Sequence, residues 1–152
     1  MSKIYTDANP KVIAYYIEDS GGCGTQNTPP NTTIMQAEYL AIVYGLNEYF
    51  RLFNSELDAR QDDLDTERLR VTGEHQFFNV ATPSQRTIRS KPPPILVLCD
   101  NEVVVHQLDR SYHIADEKLR HLAMRVWQMT KGLEVKYQWI SRKENIAGKM
   151  LK

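Results

Sequence analysis

Asp7, Glu38 and Asp100 are the residues most able to do chemistry together. Each stands at the end of a predicted element. Asp7 follows the short β-prone run KIYT, and Asp100 follows the apolar run ILVL and Cys99. Glu38 lies close to the start of a helix that the pattern opens at Gln36. Each acid has a local explanation when taken alone: Asp100 can cap the following helix, and an acid in a first helical turn suits the helix dipole. Three acids at three element ends can also converge on one point. Carboxylates gathered without basic partners repel one another unless they share a divalent cation. The constellation therefore points to a magnesium site and to phosphate chemistry.

The elements that must position these acids are readable from periodicity. Residues 95–98 (ILVL) are too few for a helix and too apolar for a surface loop, which predicts a buried strand. Val103, Val104 and Leu108 follow at helical spacing. A carboxylate just past the carboxyl end of a core strand lies where open α/β sheets carry their sites. Residues 12–17 (VIAYYI) form a second strand after the Ala8-Asn9-Pro10 turn, and Asp19-Ser20-Gly21-Gly22 turns the chain into a hairpin. The return segment, 23–33, is polar and contains Pro29-Pro30, so a weak edge strand is expected. From Gln36 the apolar residues Leu40, Val43, Leu46, Phe50 and Phe53 make one stripe, with Thr33 as N-cap. A helix over about 116–130 carries Leu119, Leu122, Ala123, Val126 and Met129 on one face and ends at Gly132. A strand over 133–140, a loop over 141–145 and the start of a helix at Ile146 complete the chain.

Between about 54 and 94 the pattern decays. The acidic run ELDARQDDLDTER extends the helix, VTGEHQFFNV suits a short hairpin or irregular packing, and ATPSQRTIRSKPPP has linker composition. Asp62, Asp63 and Asp65 lack calcium-loop spacing and read as a solvated helix end. The 152 residues suffice for a single domain, 1–152, with 54–92 as an insertion. No apolar run reaches membrane length and no signal peptide is evident. Two cysteines make neither a disulfide framework nor a metal cluster, and a cytoplasmic location is expected. The formal net charge is zero, but residues 110–152 hold 10 Lys+Arg against 4 Asp+Glu. That basic third, including Arg142 and Lys143, is a candidate phosphate-facing surface.

The blocks KIYTD, QAEYLAIVYGL, CDNEVVVHQL and WISRKENIAGKML resemble, in order, those of the type 1 ribonuclease H family. The resemblance spans nearly the whole chain outside 54–92. It implies an α/β, ribonuclease H-like fold: a five-stranded mixed sheet, its first three strands antiparallel and the rest parallel, flanked by helices. It implies hydrolysis of the RNA strand of an RNA/DNA hybrid with two magnesium ions, for which manganese can substitute. By position, Asp7 would bridge both ions, and Glu38 and Asp100 would hold the second. Thr33 matches a contact to a DNA phosphate, Asn9 lies where the family touches the hybrid, and Arg142 replaces a histidine that helps product release. No membrane and no obligate protein partner are implied.

Two departures matter. Ile34-Met35 replace the usual Asn-Asn after the threonine, which weakens reading of the RNA 2′-hydroxyl. The family's fourth carboxylate is also missing. Aligned without a gap from Asn145, its position holds Lys149; aligned on Ala147, it holds Gly148. Two rival readings follow: a hybrid-binding or scaffold domain with little turnover, and a related nuclease cutting DNA branches or single strands.

Overall fold

The structure, a computed structural model, describes residues 1–72 and 92–151, and for residues 55–72 the backbone alone. Its strands are β1 (Ser2–Ala8), β2 (Val12–Ile17), β3 (Cys23–Asn27), β4 (Ile95–Cys99) and β5 (Val135–Trp139). Its helices are α1 (Ile34–Thr72), α2 (Glu102–Leu108) and α3 (Glu117–Met129), and the chain closes with a 3-10 helix, Ile146–Leu151. The strands form one sheet in the order β3-β2-β1-β4-β5. β1 and β2 pair antiparallel, as do β2 and β3. β1 and β4 run parallel, as do β4 and β5. This is the mixed sheet expected from the sequence.

β4 is buried except at the half-buried Leu96, as the run of apolar residues requires. β3 is a mostly exposed edge, matching its polar composition. The hairpin between β2 and β3 turns through Gly21, at φ 69°. Glycine meets no Cβ penalty in that left-handed region.

α1 continues as one helix to Thr72, so the acidic run does prolong it. Its buried face differs from the expected stripe. Val43 and Leu46 are buried, but Leu40 and Phe50 are only half-buried, while Tyr39, Ile42 and Tyr49 are inside. The cause is a row of small residues at intervals of four, Ala37, Ala41 and Gly45. Ala37 and Ala41 pack with Ala8 and Ile13. Gly45 lets α1 approach so closely that a Cβ there would stand 3.1 Å from Ile4 Cγ2 and 3.3 Å from Tyr15 Cβ. The Tyr39 hydroxyl donates to Gln107 Oε1 at 2.6 Å, joining α1 to α2 inside the core.

α3 presents the expected face, with Ala123 and Val126 buried and Leu119, Leu122 and Met129 half-buried. Asp116 caps it by accepting from Leu119 N at 3.1 Å. Gly132, at φ 80°, lies two residues past the C-cap Thr130. The chain divides into two compact units, Met1–Tyr49 with Pro93–Lys152, and Phe50–Pro92. The expected hairpin and linker after α1 lie largely outside the described residues, as do the side chains of Asp62, Asp63 and Asp65. Among the described residues no helix is long and apolar enough to cross a membrane.

Candidate metal centre

The parallel pairing of β1 with β4 sets Thr6 beside Cys99, so the residues that follow each strand's core emerge together. Asp7 and Asp100 are those residues. Asp100 is not the helix cap. Asn101 takes that role, its Oδ1 accepting from Val104 N at 3.2 Å, and the Asp100 carboxylate is left to the site. Glu38 is the fifth residue of α1, beyond the first turn, so the dipole does not explain it. Thr33 caps α1 in a reciprocal box with Gln36: Gln36 N donates to Thr33 Oγ1 and Thr33 N to Gln36 Oε1, each at 3.1 Å.

Carboxylate oxygens of Asp7, Glu38 and Asp100 lie within 4.8 Å of one another. The three side chains are buried, that of Asp100 to within 5% of full burial. Burial, reinforced by the neighbouring acids, pushes Glu38 up to about 8. Burial raises Asp7 to about 6, the Ala8 amide pulling the other way and Asp100 adding to the rise. These are hard oxygen donors, a set suited to a hard divalent cation.

Neighbouring groups hold the acids in place. The Cys99 thiol donates to Glu38 Oε2 at 3.7 Å, and burial keeps that thiol protonated. Ala8 N donates to Asp7 Oδ1 at 2.8 Å. The fully buried Asn145 amide donates to Thr6 O at 2.9 Å and to Asp100 Oδ2 at 3.4 Å, while its Oδ1 accepts from Ala147 N at 3.2 Å. Asn145 thus ties the 3-10 helix to β1 and to the site. Neither Cys99 nor Asn145 stood out in the sequence as a site residue. The one signal for Asn145 was its place in the NIAGK block, and for Cys99 its place next to Asp100.

The remaining candidates divide. Arg142 Nε comes within 3.9 Å of Asp100 Oδ2, although its side chain is 89% exposed. Lys143 is exposed beside it. Thr33 is exposed at the start of α1, and its hydroxyl oxygen is engaged by Gln36. Asn9 Oδ1 accepts from Lys11 N and Val12 N, each at 2.8 Å, so its carbonyl serves the turn. His106 lies 3.5 Å from both Glu102 and Asp109, while His113 and His121 are exposed. Of the two positions for a fourth acid, Gly148 faces the site: a Cβ there would stand 2.7 Å from Asp7 Oδ2. Lys149 is exposed. Ile34 and Val103 are substantially exposed, and Met35 Sδ accepts from Asn101 Nδ2 at 3.4 Å. Trp139, half-exposed, donates its indole N–H to Asp100 O at 3.1 Å.

A mixed sheet of this order, flanked by helices and with acids gathered at the carboxyl ends of its neighbouring parallel strands β1 and β4, is the ribonuclease H fold. Solved structures bear this out. Ribonuclease H1 from the halophilic archaeon Halobacterium salinarum matches with a TM-score of 0.61 at 16% identity, over 99% of this chain and 92% of that one. LC11 ribonuclease H1, isolated from compost by a metagenomic approach, matches with a TM-score of 0.63 at 16% identity, over 99% and 91%. The same enzyme in complex with an RNA/DNA hybrid matches with a TM-score of 0.60 at 16% identity, over the full length of both chains. No protein-family model and no curated protein matches the chain.

Proposed function

We propose that the protein is a metal-dependent endonuclease that hydrolyses the RNA strand of RNA/DNA hybrids. The observation that carries the reading is the convergence of Asp7, Glu38 and Asp100 within 4.8 Å. We read this buried acidic cluster as the seat of a pair of magnesium ions, with manganese as a substitute. When bound, such ions supply an activated water and stabilise charge on the leaving oxygen. Asp7 would serve both ions, and Glu38 and Asp100 one of them. Cys99 and Asn145 orient Glu38 and Asp100 by hydrogen bonds. Arg142 and Lys143 offer cations to phosphates; the side-chain oxygens of Thr33 and Asn9 are engaged locally, which leaves the Thr33 hydroxyl proton and the Asn9 amide N–H to donate to the hybrid. The hybrid bound by LC11 ribonuclease H1 supports the choice of substrate class.

A second reading, a hybrid-binding domain with little turnover, is favoured by two observations. The position facing Asp7 is Gly148, which offers no ligand, and Arg142 adds a cation beside Asp100. The deciding experiment incubates the protein with labelled hybrid, duplex DNA and duplex RNA, in magnesium and in manganese. The nuclease reading expects cuts in the RNA strand of the hybrid alone, faster in manganese. Tight binding to hybrid without cleavage in either metal would favour the binding domain.

A further inference from the structure

A second candidate site lies away from the acids. β4 and β5 run parallel, Ile95 pairing with Val135 and Cys99 with Trp139. Asp100 of the acid cluster follows the carboxyl end of β4, whereas a cavity of about 560 Å³ opens beside the other end of β5, lined in part by Leu133, Val135 and Tyr137. Trp127 and Thr130 of α3's end line it too, as do Arg110, Lys131 and Lys136. Its volume lies in the range of small-ligand sites. Three cations face one acid, Asp109, and that acid is engaged: Ser111 N donates to it at 2.9 Å, and His106 Nδ1 lies at 3.5 Å. The cavity therefore carries surplus positive charge over an apolar and aromatic lining.

Arg110 adds an independent observation. α2 ends in a Schellman turn, with Arg110 N donating to Gln107 O at 3.2 Å and Ser111 N to His106 O at 2.9 Å. The left-handed position of that turn favours glycine, yet here it is Arg110, at φ 70°. The conformation sets the guanidinium over the Trp127 ring, 4.3 Å from its centroid. The Trp127 indole is itself fixed by donating to Leu108 O at 3.0 Å. A strained residue and an anchored aromatic thus combine to aim a planar cation at the cavity.

We propose that this cavity binds a nucleotide, with the base against the Arg110–Trp127 pair and the phosphate between Lys131 and Lys136. Guanidinium planes and aromatic rings are the surfaces on which bases stack, and stacking is tolerant of base identity. The source is either a free nucleotide or a nucleotide of a single strand, since both present one ring and one phosphate.

The test is isothermal titration of the full chain in divalent-free buffer with AMP, inorganic phosphate and a short oligothymidylate. AMP is expected to bind about tenfold or more tightly than phosphate, the effect of stacking one base. Tighter binding of the oligothymidylate than of AMP assigns the site to a strand, and the reverse order to a free nucleotide. Arg110→Gly relieves the left-handed strain, so it should hold its melting temperature and lose the AMP signal. The Lys131→Gln/Lys136→Gln pair, which leaves the turn intact, should weaken AMP and phosphate alike. No heat with AMP, equal affinity for AMP and phosphate, or unchanged binding in either variant overturns the proposal. Because the buffer holds no divalent metal, none of these results depends on hybrid cleavage.

Discussion

At the scale of the residue, the acids are held against their own repulsion. Asp7→Asn removes one charge from the cluster, so the metal-free melting temperature should stay level or rise while hybrid cleavage is lost. A large fall in melting temperature would make Asp7 a structural residue. Glu38 gives a pH dependence whose sign is fixed. Its carboxyl is raised from 4.5 to about 8, so the folded chain holds that proton more tightly than the unfolded one. The associated stability is complete below the unfolded value and is lost as pH climbs through the folded one. Thermal melts without metal should therefore decline between about pH 5 and pH 8. Glu38→Gln should flatten that decline. Added magnesium should oppose it, because the cation binds the ionised cluster and competes with protons.

At the scale of the element, the 3-10 helix decides what became of the fourth ligand. The sequence leaves Gly148 and Lys149 open, since a one-residue slip in a short terminal block changes nothing that periodicity detects. Packing separates them: Gly148 lies against Asp7 and Lys149 faces solvent. Gly148→Asp should crowd and repel Asp7 in the metal-free chain, lowering its melting temperature. With magnesium the added carboxylate becomes a ligand, and single-turnover hybrid cleavage should rise on the order of 10- to 1000-fold. Lys149→Asp should change the rate little, and Gly148→Ala should crowd Asp7 without any gain. If Gly148→Asp fails to raise either rate or magnesium affinity, a missing ligand is not what limits the site. Asn145→Ala tests the tether. Leaving Thr6 O without its partner should cost about 1–3 kcal/mol, measured by denaturant unfolding, and loosen Asp100.

Elements were legible wherever a local pattern sufficed. The apolar run of β4, the turn at Gly21 and the face of α3 each follow from neighbours in the chain. The face of α1 departs from its hydrophobic stripe because Ala37, Ala41 and Gly45 contribute closeness rather than hydrophobicity, and closeness is invisible without the partner strand. Asp7, Glu38 and Asp100 were legible because element ends can be located from periodicity. Cys99 and Asn145 were not, since each acts through a contact to a residue 61 and 139 positions away, Glu38 and Thr6 respectively.

At the scale of the whole molecule, charge distribution matters more than the net value. The formal charge is zero, yet residues 110–152 carry 10 Lys+Arg against 4 Asp+Glu. A duplex lying over that third would displace counterions from its phosphates, so hybrid affinity should fall steeply with salt despite the neutral total. Arg142 reaches the acid cluster, Lys143 follows it in the chain, and both side chains face solvent. Exposed cations of this kind act on phosphates as long-range charges, which salt screens over roughly 10 Å at 0.1 M. The double variant Arg142→Gln/Lys143→Gln should therefore weaken hybrid binding most at low salt. In a plot of log affinity against log salt, measured with calcium to prevent turnover, its slope should be shallower by about one to two. The effect should be nearly independent of hybrid sequence, because phosphate contacts carry no base information. A slope equal to that of the unaltered chain would mean that these two side chains are solvated only, and that the phosphates lie over another part of the basic third.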